Sequence, residues 1–316
     1  MKIEKKLILQ LLKFSNKMRY FLSFGFLFLS FLSPAQERFI NDIFEAEAAE
    51  TQTYAVKDGQ ELKLDIYRPK NDTARSRPLI VFMHGGGFSG GTRTNEGEVK
   101  FAQAAARKGY VAAQISYRLT RKGQSFGCDY EAEGKMETFQ LAAEDFMDAV
   151  DFMLRYKKKY GIDPSKVIVG GSSAGAEAVL NAAYNRALMF EKPAKYKDLQ
   201  FSGVFSLAGA IVDARYITAE NAVPGIFFHG TEDNSVPYAS APHHFCDPAE
   251  PGYIMLDGSR TIASKLRDLN ASYMLYSFEG GRHEHSGMPF QYFEEVFGFF
   301  NSVFLNNEKL QIEVLK

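Results

Sequence analysis

From Thr53 onward apolar and polar residues alternate, and Leu62, Leu64 and Ile66 share one face of the run ending at Tyr67, the period of a half-buried strand. Leu79 to Met83 is continuously apolar instead, as in a strand covered on both faces, and it stops at His84-Gly85-Gly86-Gly87. Helical sequence from about Glu96 to Lys108 leads into a further strand over Tyr110 to Tyr117. After a polar loop from Arg118 to Gly134, Phe139, Ala142, Ala143, Phe146, Ala149, Val150 and Met153 recur at three- and four-residue spacing, the stripe of an amphipathic helix, which should end near Gly161. Lys166 to Gly170 reads as a short strand followed by an alanine-rich helix from Ala174 to Ala187. Strands at Gly203 to Leu207, Gly225 to His229 and Ser272 to Tyr276 follow, with helices around Ser259 to Leu269 and Phe290 to Phe304. Buried strands alternating with amphipathic helices predict an α/β chain whose mostly parallel central sheet has an antiparallel start and helices on both faces.

The amino terminus departs from this pattern. Met18-Arg19-Tyr20 precedes the apolar run Phe21 to Leu32 and then Ser33-Pro34-Ala35, which reads as a signal peptide cleaved between Ala35 and Gln36. The run is too short for a membrane anchor. Residues 1–17 are long for the basic region of such a signal, so Met18 is a plausible alternative start. The expectation is an exported protein, periplasmic or extracellular, with no stable membrane span in its mature form and with residues 36–316 forming a single domain.

Composition changes the picture by exclusion. With 37 basic and 38 acidic residues the formal charge is −1, so the basic footprint of a nucleic-acid binder is absent. No fixed repeat, heptad run or metal-ligand spacing stands out, and no cofactor is expected. Cys128 and Cys246 are the only cysteines. In an oxidising compartment such a pair often bridges, although two separate thiols are the alternative. Both lie in loops that follow strands, so a bridge would clamp two loops where folds of this kind build their sites.

The chemistry lies in the turns. Gly171-Ser172-Ser173-Ala174-Gly175 follows a buried strand and opens a helix, the context in which G-x-S-x-G lifts a serine clear of the backbone as a nucleophile. Ser173 holds the central position; Ser172 is the adjacent rival with a structural role expected. In His84-Gly85-Gly86-Gly87 the small residues let backbone N–H groups face a reacting carbonyl oxygen, so Gly86 and Gly87, with Ala174, are the expected oxyanion donors. His84 itself is expected to brace the turn.

These motifs resemble the α/β-hydrolase superfamily, and within it the HGGG-type carboxylesterases and related carbohydrate acetyl and feruloyl esterases, over about Leu62 to Leu305. The resemblance implies an α/β-hydrolase fold without a large lid domain, since no long helical insertion separates the Val204 and Ile226 strands. It also implies a triad in the order serine, acid, histidine. Asp233 in His229-Gly230-Thr231-Glu232-Asp233 is the expected acid, with Glu232 as fallback. His283, ending Gly280-Gly281-Arg282-His283, is the expected base, with His285 as alternative. The segment from Ser240 to Gly258 is longer than in many relatives, and its His243 and His244 look like loop or substrate-rim residues. The implied activity is hydrolysis of short-acyl or carbohydrate-linked carboxylic esters, on a small-molecule or polysaccharide-linked substrate. A serine peptidase or arylformamidase would use the same machinery, and a catalytically silent binding protein would be expected to break it. Oligomeric state is not legible.

Overall fold

The computed structural model describes residues 38–316; the expected signal peptide lies outside the described residues. The central sheet has nine strands in the order β1-β2-β4-β3-β5-β6-β8-β11-β12. These are β1 (Glu50–Lys57), β2 (Gln60–Tyr67), β3 (Arg77–Met83), β4 (Val111–Ile115), β5 (Ile162–Ser172), β6 (Gly203–Leu207), β8 (Gly225–Gly230), β11 (Tyr273–Phe278) and β12 (Gln311–Leu315). Pairings β1–β2 and β2–β4 are antiparallel and all others in this sheet are parallel. This is the doubly wound α/β-hydrolase architecture.

Alternation within the buried strands divides the core in two. Leu79, Val81 and Met83 of β3 pack with Val167 and Val169 of β5 on one face, while Ile80, Phe82 and Ile168 point to the other. The first face is covered by α2 (Ala132–Arg155) and α3 (Ala174–Tyr184), the second by α1 (Glu96–Arg107) and α4 (Phe293–Phe299). On the second face Phe101 stacks on Phe297 with ring centroids 5.7 Å apart and meets Phe205 at 5.4 Å. Each such buried ring contributes about 1.5–3 kcal/mol by leaving water. Helix α1 starts with the Asn95 side chain accepting from Gly97 N–H and has the exposed Glu96 in its first turn, where a negative charge complements the helix dipole.

Three features depart from the sequence reading. β12 forms a parallel edge strand on β11, past the last predicted helix; its side chains are exposed or half-buried, so no strong apolar signal marks it. The segment between Ser240 and Gly258 is not plain loop: β9 (Ser240–Pro242) and β10 (Met255–Gly258) join β7 (Ala210–Ile211) in a small antiparallel sheet. The loop after β4 ends earlier than expected because α2 begins at Ala132. Between β6 and β8 stand only β7 and a short helical turn, Ala214–Tyr216. Buried Asp145 of α2 accepts from Arg118 and Lys57, tying the loop after β4 and the antiparallel edge to the helix layer.

Candidate active site

Ser173 sits between β5 and α3 with φ 49° and ψ −124°, a conformation that costs a non-glycine residue about 1–3 kcal/mol. Packing enforces it. A Cβ at Gly175 would lie 2.2 Å from Met83 O, and one at Gly171 would lie 2.5 Å from the Gly175 carbonyl group. The missing side chains let helix and strand approach. Ser173 N–H donates to Leu207 O at 2.8 Å, and Glu177 N–H to Ser173 O at 2.9 Å.

A hydrogen-bonded chain runs from this turn. Ser173 Oγ is 2.8 Å from His283 Nε2, and His283 Nδ1 is 2.7 Å from Asp233 Oδ2. The other carboxylate oxygen of Asp233 accepts from Ser235 N–H at 2.8 Å and Val236 N–H at 3.0 Å. Asp233 is buried and also lies 3.3 Å from His229 Nε2. Burial alone would raise its pKa, but the hydrogen bonds of His229 and His283 outweigh it and hold the carboxyl well below the usual range. The acid and histidine loops are laced together by Thr231 N–H to Phe278 O and Glu232 N–H to Gly281 O, both 2.9 Å.

The alternatives fall elsewhere. Glu232 is exposed. His285 stacks on Phe278 at 3.8 Å and lies beside Glu284. Ser172 donates to Ser286 O at 2.7 Å, bracing the histidine turn. His84 is buried against Tyr117, with its Nδ1 2.7 Å from Gly85 O.

Gly86 and Gly87 have φ of +123° and +58°. A Cβ on Gly86 would lie 2.3 Å from Gly90 O. Neither N–H, nor that of Ala174 in the first turn of α3, donates to a backbone carbonyl among the described residues. All three residues line a cavity of about 520 Å³ that also contains Ser173 and His283. A carbonyl oxygen placed among these donors would be stabilised as it gained charge.

The cavity also holds groups that the sequence reading did not single out. Glu177, one helical turn beyond Ser173, and Glu98 both line it and are buried. Burial pushes each carboxyl up to about 8, with the Asp233 charge adding to the effect at Glu177. The one available signal was a glutamate in an alanine-rich helix whose every residue is buried. His229, which ends the predicted strand and opens the acid-bearing motif, has no role assigned from sequence; in the structure it lies inside β8 beside Asp233. His243 is only 1% exposed and packs against Phe126 and Phe139, so it belongs to the cavity wall and not to a rim; His244 is half-buried beside it. Cys128 and Cys246 are bridged, fastening the segment that carries both histidines to the loop that carries Phe126. The described His, Cys and acidic groups close enough to share an ion are these two cysteines with Glu250, and their sulfurs are engaged with each other.

Comparison with known proteins supports the fold and points to ester chemistry. The BD-FAE family model matches residues 64–214. Gut esterase 1 of Caenorhabditis elegans is 31% identical over 118 residues, 37% of this chain and 20% of the relative. Secreted lipase 1 of Botryotinia fuckeliana (strain B05.10) is 31% identical over 157 residues, 48% of this chain and 26% of the relative. The chain thus spans only a small part of these curated relatives. Esterase 2 of Thermogutta terrifontis, in its form phosphorylated by paraoxon, superposes with a TM-score of 0.60 at 20% identity, covering 81% of this chain and 95% of that one.

Proposed function

We propose that this chain of α/β-hydrolase fold is a serine hydrolase that cleaves carboxylic esters through an acyl-enzyme. The observation that carries the reading is the unbroken chain from Ser173 Oγ through His283 to buried Asp233, at a cavity lined by Gly86, Gly87 and Ala174. As Ser173 Oγ bonds to the ester carbonyl carbon, its proton passes to His283 Nε2 and the carbonyl π electrons move to oxygen. Asp233 keeps the other imidazole proton on Nδ1 and stabilises the imidazolium. The N–H groups of Gly86, Gly87 and Ala174 bind the oxyanion, each donor lowering the barrier by about 3 kcal/mol. Collapse breaks the C–O bond, and His283 returns its proton to the departing alcohol. Water, deprotonated by the same imidazole, then releases the acid and restores Ser173.

The BD-FAE match and the esterase and lipase relatives support ester substrates. The disulfide agrees with export to an oxidising compartment; amino-terminal sequencing of secreted protein should begin at Gln36, and an uncleaved chain would overturn that part of the reading. The test of chemistry is Ser173→Ala. The variant should fold and lose hydrolysis of 4-nitrophenyl acetate by about 10⁴-fold or more, and paraoxon should phosphorylate the wild-type chain at Ser173 alone. Near-full activity in the variant would remove the assignment, and anilide cleavage exceeding ester cleavage would redirect it to peptidase or amidase chemistry.

A further inference from the structure

Three side chains of the cavity wall, Glu98, Glu177 and His243, are more than nine-tenths buried and hold polar atoms that no protein group among the described residues satisfies, and two of them, Glu177 and His243, stand side by side. Glu177 is 2% exposed and His243 1% exposed. Among the described residues Glu177 Oε1 and His243 Nδ1 have no hydrogen-bond partner, and Glu177 Oε1 lies 3.4 Å from His243 Nε2. Both residues line the same cavity as Ser173. A buried donor or acceptor without a partner is destabilising, and buried polar groups are otherwise almost always paired. Retaining two of them side by side in a reaction cavity is accounted for if a ligand completes them.

We infer that Glu177 and His243 form a subsite for an uncharged hydroxyl group carried by the ester, with Glu177 Oε1 and His243 Nδ1 as the hydrogen-bonding atoms. The inference rests on the ester-hydrolase reading and adds a substrate feature to it. A hydroxyl both donates and accepts, which matches a site where burial favours the neutral acid and the neutral imidazole, each offering mixed donor and acceptor capacity. An ammonium or phosphate would meet no fixed opposite charge at these atoms. The nearby cation, Lys135, is turned away, donating to Gly252 O at 2.7 Å. The subsite is also held in place. The His243 ring packs edge-on against both Phe126 and Phe139, the backbone N–H of His243 donates to Ile254 O at 2.8 Å, and the Cys128–Cys246 bridge anchors the segment three residues on.

The hydroxyl can sit on the acyl or on the alcohol side, and two matched pairs of esters distinguish these. The acyl pair is 4-nitrophenyl butyrate and 4-nitrophenyl 3-hydroxybutyrate; the alcohol pair is ethyl acetate and 2-hydroxyethyl acetate, followed by pH-stat. Each kcat/KM is normalised to that ester's alkaline hydrolysis rate. The wild type should favour the hydroxylated member of one pair by about tenfold or more, and Glu177→Leu and His243→Phe should bring that ratio close to one, whereas Glu177→Gln, which keeps a neutral donor and acceptor, should preserve most of it. Because the readout is a ratio within a pair, a general loss of rate does not imitate it. Should Glu177→Leu fail to fold, the wild-type and His243→Phe ratios decide. Wild-type ratios near one in both pairs, or a ratio unchanged in the variants, overturns the subsite and leaves the hydrolase reading standing. Hydrolysis of none of the four esters overturns the hydrolase reading itself.

Discussion

Asp233→Asn tests the polar chain at the point where the structure dictates the outcome. Oδ1 of Asp233 accepts two backbone N–H groups, from Ser235 and Val236, so an asparagine must place its carbonyl oxygen there. Its NH₂ group then occupies the position of Oδ2 and presents a donor to His283 Nδ1, 2.7 Å away in the native chain. Two donors cannot share that line. The imidazole is forced into the tautomer with its proton on Nε2, facing Ser173 Oγ, and can no longer take the serine proton. Where this inversion occurs in a serine–histidine–aspartate site, kcat falls about 10⁴-fold, equivalent to about 5 kcal/mol of barrier. The loop should survive, since its two N–H groups keep an acceptor, so the melting temperature should drop by only a few degrees. Steady-state hydrolysis of 4-nitrophenyl acetate with a calorimetric scan on the same preparation measures both. A natively folded Asp233→Asn protein with less than about tenfold loss would refute the role assigned to Asp233, and Glu232→Gln would then become the comparison to make.

Two further outcomes follow from the buried groups of the cavity. Replacing Cys128 and Cys246 by serine opens a closure of 118 residues, worth about 5 kcal/mol in the chain-entropy view, and should lower the melting temperature while raising KM, because Phe126 and His243 lose their common anchor; an unchanged KM in the folded variant would show that the clamp does not shape the cavity. Glu98 and Glu177 have folded pKa values near 8 against an ordinary 4.5, so between these limits the folded chain retains protons that the unfolded chain has lost. Their stabilising contribution is complete below about pH 4.5 and is lost as pH rises to 8, at about 1.4 kcal/mol per pH unit for each group. Glu177→Gln should therefore be more stable relative to the wild type at pH 8 than at pH 5 in urea titrations, and a pH-independent difference would contradict a neutral buried Glu177.

Much of the scaffold was legible because its cause is local. A continuous apolar run such as Leu79 to Met83 can be buried only on both faces, and helical stripes such as Phe139 to Met153 need a sheet to cover. The turns were legible because glycine permits what other residues cannot: the positive φ at Gly86 and Gly87 and the close approach at Gly175. β12 was not, since an edge strand half-exposed along its length carries little hydrophobic signal. Nor was the small sheet of β7, β9 and β10, whose strands are two to four residues long and draw their order from pairing across the chain.

By itself the sequence determined the sheet-and-helix alternation, the strained turn at Ser173 and the short roster of acids and histidines from which a site could be assembled, because these depend on neighbours within a turn or a strand. The tertiary structure alone decided which of them meet. Ser173 and His283 are 110 residues apart, and His283 and Asp233 are 50 apart. The glycine-rich loop favours His283 over His285 without deciding between them; the Phe278 ring, against which His285 is stacked, decides. The same holds for Glu177 and His243, an unremarked helix residue and a loop residue 66 positions apart in the chain, whose pairing exists only because the disulfide-pinned segment folds over α3.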